Sequence, residues 1–263
     1  MTFAEATAKT AALIAAVTEE ADIEARAMVC AAANIEYRDY PLFRDVVFPE
    51  KYAEILGQYS EERLKNTPIQ YILGEWEFMG LTFCTRPCAL IPRQDTETLC
   101  EEALSFGGDS VLDMCCGTGC IGISLAKLGG MKAAFSDISP DCIALARENA
   151  ALNGVEGEFF LGDLFENVTG KYFLICSNPP YIPSGDIPSL QKEVQNEPML
   201  ALDGGDDGLD IYRRIAQQYK DYLLPGGHLL LEVGKDQAQD VMAIFGGGYA
   251  VKDLCGVERV VVV

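Results

Sequence analysis

From Ser110 onward the chain alternates strand-like and helix-like stretches, and this alternation narrows its possible folds more than any other feature. An apolar run at Ser110–Met114 leads into a glycine-bearing turn and a helical pattern over Ile121–Leu128. Strand signals follow at Ala133–Ser136, a helix at Cys142–Asn153, and strands at Glu158–Leu161 and Tyr172–Ser177. A helix near Ile211–Leu223, the turn Pro225-Gly226-Gly227, a strand at His228–Val233, a helix from Asp236 and a closing strand at Val260–Val263 complete the series. Strands separated by helices pair in parallel, because each helix carries the chain back to the same edge. The expected fold is α/β, a doubly wound, Rossmann-like parallel sheet.

The first third reads differently. Thr2-x-x-Glu5 fits a capping box ahead of an Ala-rich helix, and helices are expected at Ile23–Ile35 and Tyr52–Leu64, separated by the regions of Pro41 and Pro49. Residues 1–67 therefore read as a small helical domain. Aromatic and β-favouring residues from Ile69 to Phe83, broken by Gly74 and Gly80, predict a β-hairpin linker over 68–88. The α/β domain then takes 89–263.

Composition removes several function classes. With 20 basic and 40 acidic residues, the net charge of -20 repels a phosphate backbone, so no direct nucleic-acid partner is expected, although Arg86 and Arg93 lie close together. Ten scattered cysteines without an export signal predict reduced thiols. Cys84/Cys88 and Cys116/Cys120 have the wrong spacing for zinc knuckles, and His228 is the only histidine, so no metal site is expected. Ile91 and Ile123 stand where a third cysteine of an iron–sulfur triplet would fall. No apolar run is long enough to span a bilayer, and Met1–Glu5 lacks the grammar of a signal peptide. The expected location is cytoplasmic, with no membrane partner.

Two turns carry the chemistry. The strand Val111–Met114 opens into Cys115-Cys116-Gly117-Thr118-Gly119, a small-residue turn that starts a helix. Backbone N–H groups there can approach a ligand, and the helix amino terminus favours carboxylates or phosphates. Asp137 ends the next strand, where an acidic side chain accepts the hydroxyl hydrogens of an adenosine ribose. Asp163-Leu164 ends the one after, suited to meet an adenine amino group and cover its ring. Because Gly117-x-Gly119-x-x-Gly122 formally matches a dinucleotide fingerprint, this pattern alone leaves nicotinamide cofactors and S-adenosyl-L-methionine (SAM) both open.

The second turn, Asn178-Pro179-Pro180-Tyr181, follows the strand ending at Ser177 and lies at the ligand-binding edge of such a sheet. Consecutive prolines fix φ and donate no N–H, leaving their carbonyls rigid. The Asn178 side-chain oxygen and the Pro179 carbonyl can each accept one hydrogen of an –NH2 group, while Tyr181 lies against its plane. Glu232, at a strand end, reads equally as a plain strand terminus and stays outside the candidate site. The acidic run Asp203–Asp210 reads as a glycine-rich solvated loop.

Taken in order with Arg63, Thr67–Gly74, Leu90–Glu97, Glu197-Pro198, Ala201–Leu209, Tyr212-Arg213, Leu224–Gly227 and Glu232–Gly234, these motifs resemble the PrmC/HemK family, glutamine methyltransferases acting on peptide chain release factors. The resemblance covers nearly the whole chain. It implies a class I SAM-dependent methyltransferase domain in which Cys115, Cys116, Gly117, Thr118, Gly119, Asp137, Asp163, Leu164 and Asn178 surround SAM. It implies that Asn178, Pro179, Pro180 and Tyr181 grip the glutamine of a Gly-Gly-Gln motif, with Asn178, Pro179 and Tyr181 catalytic. The helical domain is implied to recognise the release factor. Another protein glutamine, or the exocyclic amino group of adenine, offers the same –NH2 geometry and stays open as an alternative. Three positions depart from the family pattern. Cys115 replaces a glycine and takes positive φ only at a cost, Leu164 replaces an aromatic, and Gln94 interrupts a Pro-Arg-Pro run.

Overall fold

Thr2 caps the first helix as its spacing predicts. Glu5 N–H donates to Thr2 Oγ1 at 3.2 Å, and Thr2 N–H donates to Glu5 Oε2 at 2.8 Å. The computed structural model describes all of residues 1–263 and divides into two units, Met1–Gly74 with Lys192–Asn196, and Glu75–Gln191 with Glu197–Val263.

The first unit is helical: α1 (Phe3–Ile14), α2 (Ala21–Ala33), α3 (Tyr40–Phe43), α4 (Ala53–Leu64) and α5 (Ile69–Leu73). Phe3, Ile14, Met28, Val29, Phe48 and Leu56 form its core. Within that core Arg63 is fully buried, with Nε donating to Glu24 Oε2 at 2.6 Å and Nη2 paired with Glu193. Removing either carboxylate would leave a buried cation short of a partner, which makes this pair a strong constraint on the unit. Helix α5 corrects an expectation, since Ile69–Leu73 is helical rather than the first arm of the hairpin. Pro68 supplies the N-cap position, and Gly74 ends the turn with φ +80°. These local signals outweigh the β-favouring side chains between them.

The hairpin itself is β1 (Glu75–Phe78) and β2 (Leu81–Cys84), joined by Met79 and Gly80, both left-handed with φ 51° and 72°. Such a two-residue loop matches the twist of the strands it joins. Asn149 holds the end of the hairpin by accepting from Cys84 N–H at 2.7 Å and donating to Cys84 O at 3.1 Å.

The rest of the second unit runs α6 (Gln94–Phe106), β3 (Ser110–Met114), α7 (Cys120–Gly129), β4 (Lys132–Asp137), α8 (Pro140–Asn153), β5 (Gly157–Leu161) and β6 (Tyr172–Ser177). After α9 (Lys192–Gln195), which is counted with the helical unit, come α10 (Met199–Leu202), α11 (Asp210–Ala216), α12 (Tyr219–Tyr222), β7 (Leu223–Glu232), α13 (Ala238–Phe245), β8 (Tyr249–Lys252) and β9 (Glu258–Val262). The sheet order is β5-β4-β3-β6-β7-β9-β8, parallel except that β9 pairs antiparallel with β7 and β8. Side chains alternate across it. Val111 and Leu174 pack in one layer with residues of α6, α7 and α8, whereas Leu112 and Ile175 pack in the other with residues of α11, α12 and α13.

Three details differ from expectation. Helix α6 is not visible as an apolar run, because its buried Leu99, Cys100 and Ala103 sit among acidic residues. The helix expected over Ile211–Leu223 divides into α11 and α12. Strand β7 begins at Leu223 and passes through Pro225–Gly227 with a register shift against β6.

Candidate active site

Strand order reverses between β3 and β6, the point at which doubly wound sheets open a crevice. Met114 at the end of β3 is the register partner of Ser177 at the end of β6. Cys115 and Asn178, one residue further on, therefore emerge side by side. The register brings together the two turns that are far apart in sequence.

The first turn is held by its backbone. Cys115 and Gly117 are both left-handed, with φ 58° and 52°. A non-glycine residue in that conformation costs ~1–2 kcal/mol, and here the turn enforces it. Cys116 N–H donates to Ser136 O at 3.1 Å, Gly119 N–H to Cys116 O at 2.7 Å, and Gly117 N–H to Asp137 Oδ2 at 2.9 Å. Burial pushes the Cys115 thiol up to about 12, so it stays protonated and acts as a packing group. Asp137 also accepts from Ser139 N–H at 2.9 Å. Burial raises its pKa, and the two N–H donors oppose that rise while fixing the carboxylate's direction. Gly122 has a different task from the turn glycines. A Cβ there would meet Phe135 Cε1 at 2.6 Å and Asp113 Cβ at 2.9 Å, so it lets α7 approach the sheet.

The third element repeats the first. Leu164 is left-handed, φ 52°, and its carbonyl accepts from the buried Ser136 hydroxyl at 2.6 Å. Asp163 Oδ2 accepts from Arg214 Nη2 at 2.6 Å. Cys115, Gly117, Asp137, Asp163, Leu164, Asn178 and Pro180 line one cleft, joined by Ile138 and Arg214, which the sequence reading did not include. Cys116, Thr118, Gly119, Pro179 and Tyr181 do not line it. Cys116 and Thr118 are buried, and Thr118 O accepts from Asn149 Nδ2 at 2.9 Å. The cleft has a carboxylate fixed by backbone N–H groups, an acidic side chain at the next strand end and apolar residues around them, and these residues fit SAM.

The second turn is held by side chains. Asn178 Nδ2 donates to Thr96 Oγ1 at 3.3 Å, and the Tyr181 hydroxyl donates to Glu232 Oε1 at 3.4 Å. Tyr181 O accepts from Gln237 Nε2 at 2.9 Å. The loop that follows is not simply solvated, as its composition implied. A Cβ on Gly208 would come within 2.3 Å of Tyr181 O and one on Gly204 within 2.8 Å of Tyr181 Cα, so the loop glycines pack directly against this turn. Glu232 is 1% exposed, and burial pushes its carboxyl up to about 7, against hydrogen bonding from Thr96 and the charge of Arg259. Burial also raises the Tyr181 phenol, with Glu232 adding to the effect. The Pro92-Arg93 segment is tied down in the same unit, with Ile91 N–H donating to Glu197 Oε2 at 3.1 Å and Arg93 paired with Glu197. All ten cysteines are free, and no cluster of three His, Cys, Asp or Glu side chains could hold a metal. No helix is long and apolar enough to cross a membrane.

The family model described as "Methyltransferase small domain" matches residues 96–197, and the "PrmC N-terminal domain" matches residues 5–74. The release factor glutamine methyltransferase of Geobacter sulfurreducens is 42% identical over 254 residues, covering 92% of this chain and 89% of the relative. That of Bradyrhizobium diazoefficiens is 35% identical over 270 residues, covering 95% and 90%. Among solved structures, a methyltransferase from Pyrococcus furiosus superposes with a TM-score of 0.56 at 16% identity, covering 70% of this chain and 88% of that one. The T. thermophilus 16S rRNA N2 G1207 methyltransferase, in complex with AdoMet and guanosine, superposes with a TM-score of 0.53 at 17% identity, covering 72% and 48%. These two show the fold, that of class I methyltransferases, and the curated relatives show the kinship: this chain belongs to the release factor glutamine methyltransferase family.

Proposed function

We propose that the chain transfers a methyl group from SAM to the side-chain amide nitrogen of the glutamine in the Gly-Gly-Gln motif of peptide chain release factors. The observation that carries this reading is the register of Met114 with Ser177, which sets the cofactor turn and the acceptor turn side by side with Asn178 lining the shared cleft. When bound, SAM supplies an electrophilic methyl group on a sulfonium. The Cys115–Gly119 turn would border its amino-acid end, Asp137 would take the ribose hydroxyls, Asp163 would take the adenine amino group, and Leu164 would cover the ring.

Asn178 Oδ1 and the Pro179 carbonyl accept the two hydrogens of the substrate amide, and Tyr181 packs against its plane. Two acceptors orient an otherwise poor nucleophile and stabilise the positive charge it gains. No strong base is required beforehand, since a proton leaves more readily once the nitrogen is alkylated. His228, the only histidine, stacks on Phe106 at 4.1 Å between ring centroids and takes no part. An adenine amino group presents the same two hydrogens, but a chain of charge -20 is poorly suited to nucleic acid, and the curated relatives are named for glutamine. The helical domain, residues 1–67, is assigned to recognition of the release factor, and the cytoplasm is the location this substrate implies.

Labelled SAM incubated with purified release factor tests the proposal. Label should enter the wild-type factor and be absent when the Gly-Gly-Gln glutamine is changed to alanine. Equal labelling of both would overturn it.

A further inference from the structure

Arg214 lines the cofactor cleft, yet nothing in the proposed reaction uses it. Its Nη2 donates to Asp163 Oδ2 at 2.6 Å, joining α11 to the turn after β5 across 51 residues of sequence. The two side chains are nearly half exposed, at 45% and 41%. A pair so placed contributes little to folding, since water screens it and two flexible side chains must be ordered to make it. What it does accomplish is to fix where the Asp163 carboxylate points.

The surroundings of Asp163 show why that matters. Its main chain is already fixed. Asp163 N–H donates to Glu166 Oε2 at 3.1 Å, Glu166 N–H donates to Asp163 O at 3.1 Å, and the Leu164 carbonyl is held by the Ser136 hydroxyl at 2.6 Å. The side-chain torsions are left, and the bond from Arg214 is the one hydrogen bond that restrains them. Arg214 acts from a firm base. Its neighbours on α11, Tyr212 and Ile215, are fully buried, and the Tyr212 hydroxyl donates to Glu232 O at 2.7 Å. Arg213, on the same helix, turns instead to Asp207 and Asp210 and does not line the cleft.

With Oδ2 occupied, Oδ1 is the oxygen left to accept from a ligand. A carboxylate paired with a guanidinium has no hydrogen of its own to give. Held in place, such an oxygen favours a purine carrying –NH2 at C6 and opposes one carrying a carbonyl there, whose oxygen is a second acceptor. A carboxylate free to turn into water loses most of that distinction, because it can swing away from either base. Ordering it in advance also removes the entropy cost of ordering it on binding.

Resting on the reading in which Asp163 takes the adenine amino group, we propose that Arg214 is a positioning residue that sets the purine specificity of the cofactor site. It holds Asp163 with one oxygen toward the 6-amino group, so that the cleft takes adenosyl cofactors and rejects inosyl ones. Arg214 acts through Asp163 and not on the reacting atoms.

Calorimetry with S-adenosylhomocysteine and its 6-keto analogue S-inosylhomocysteine tests this without turnover. Arg214→Ala should weaken S-adenosylhomocysteine about 10-fold, as for loss of one well-placed hydrogen bond to a charged group, and leave the inosyl analogue within about 2-fold. The preference for adenine should therefore drop about 10-fold. Arg213→Ala, which breaks an equally exposed pair outside the cleft, should keep it. Adding Arg214→Ala to Asp163→Ala should change it no further, because Arg214 acts only through that carboxylate. An unchanged preference in Arg214→Ala, an equal loss for both ligands, or a further loss in the double variant would each overturn the proposal. If Asp163→Ala also keeps the wild-type preference, it is the adenine reading that has failed; if Asp163→Ala loses it while Arg214→Ala keeps it, only the role of Arg214 has.

Discussion

The two turns at the carboxyl edge of the sheet do related work by opposite means. At Cys115–Gly119 the shape is fixed by main-chain conformation and main-chain donors, with left-handed φ at Cys115 and Gly117 and a carboxylate held by two N–H groups. At Asn178–Tyr181 it is fixed by side chains reaching to Thr96, Glu232 and Gln237. A backbone-built site tolerates a change of side chain so long as the path of the chain survives, which explains how Cys115 and Leu164 can both stand at left-handed positions. A side-chain-built site has no such tolerance, because each hydrogen bond depends on one atom of one residue.

This contrast makes unequal predictions. The largest effect belongs to the acceptor turn. Asn178→Ala should lower kcat about 1,000-fold while leaving SAM affinity, measured by calorimetry, within a few-fold of the wild type. A matching loss of SAM affinity would show that the two turns are not separable.

Glu232 gives the next effect, on stability. Its carboxyl is raised from 4.5 to about 7 in the folded protein by burial. Below pH 4.5 both states hold the proton, and the residue carries no penalty. As pH climbs toward 7 the unfolded chain ionises first, so folding stability falls, levelling off above 7 with a deficit of about 3 kcal/mol. Glu232→Gln removes that deficit, and denaturant unfolding should find it more stable than wild type at pH 8 but not at pH 4.5. A difference independent of pH would contradict the linkage.

For the cofactor turn, Asp137→Asn should weaken SAM binding by about 2 kcal/mol and leave kcat at saturating SAM nearly intact. Cys115→Gly, smallest of all, should raise stability by roughly 1 kcal/mol through relief of left-handed strain, with activity unchanged. Destabilisation by glycine would mean that the Cys115 side chain contributes more to packing than its backbone conformation costs.

Much of this was readable in the chain. The alternation after Ser110, the Thr2 capping box and the two turns all rest on local rules, where a few neighbouring residues decide the structure. Helix α6 was not, because Leu99, Cys100 and Ala103 are too thinly spread among acidic residues to make an apolar pattern. Ile69–Leu73 read as a strand because side-chain preference pointed one way and the flanking Pro68 and Gly74 the other. Within the site, Ile138 could have been found from its place after Asp137. Glu232, Thr96 and Arg214 could not, since their meaning lies in partners 51 to 82 residues away along the chain. A strand-end glutamate shows no sign in sequence that it is buried.

The central claim is that the cleft presents a methyl donor to a glutamine side-chain amide. Tandem mass spectrometry of wild-type release factor after reaction with SAM tests it directly. One methyl group is expected on the side-chain nitrogen of the Gly-Gly-Gln glutamine, and a methyl group on any other residue with that glutamine unmodified would contradict this.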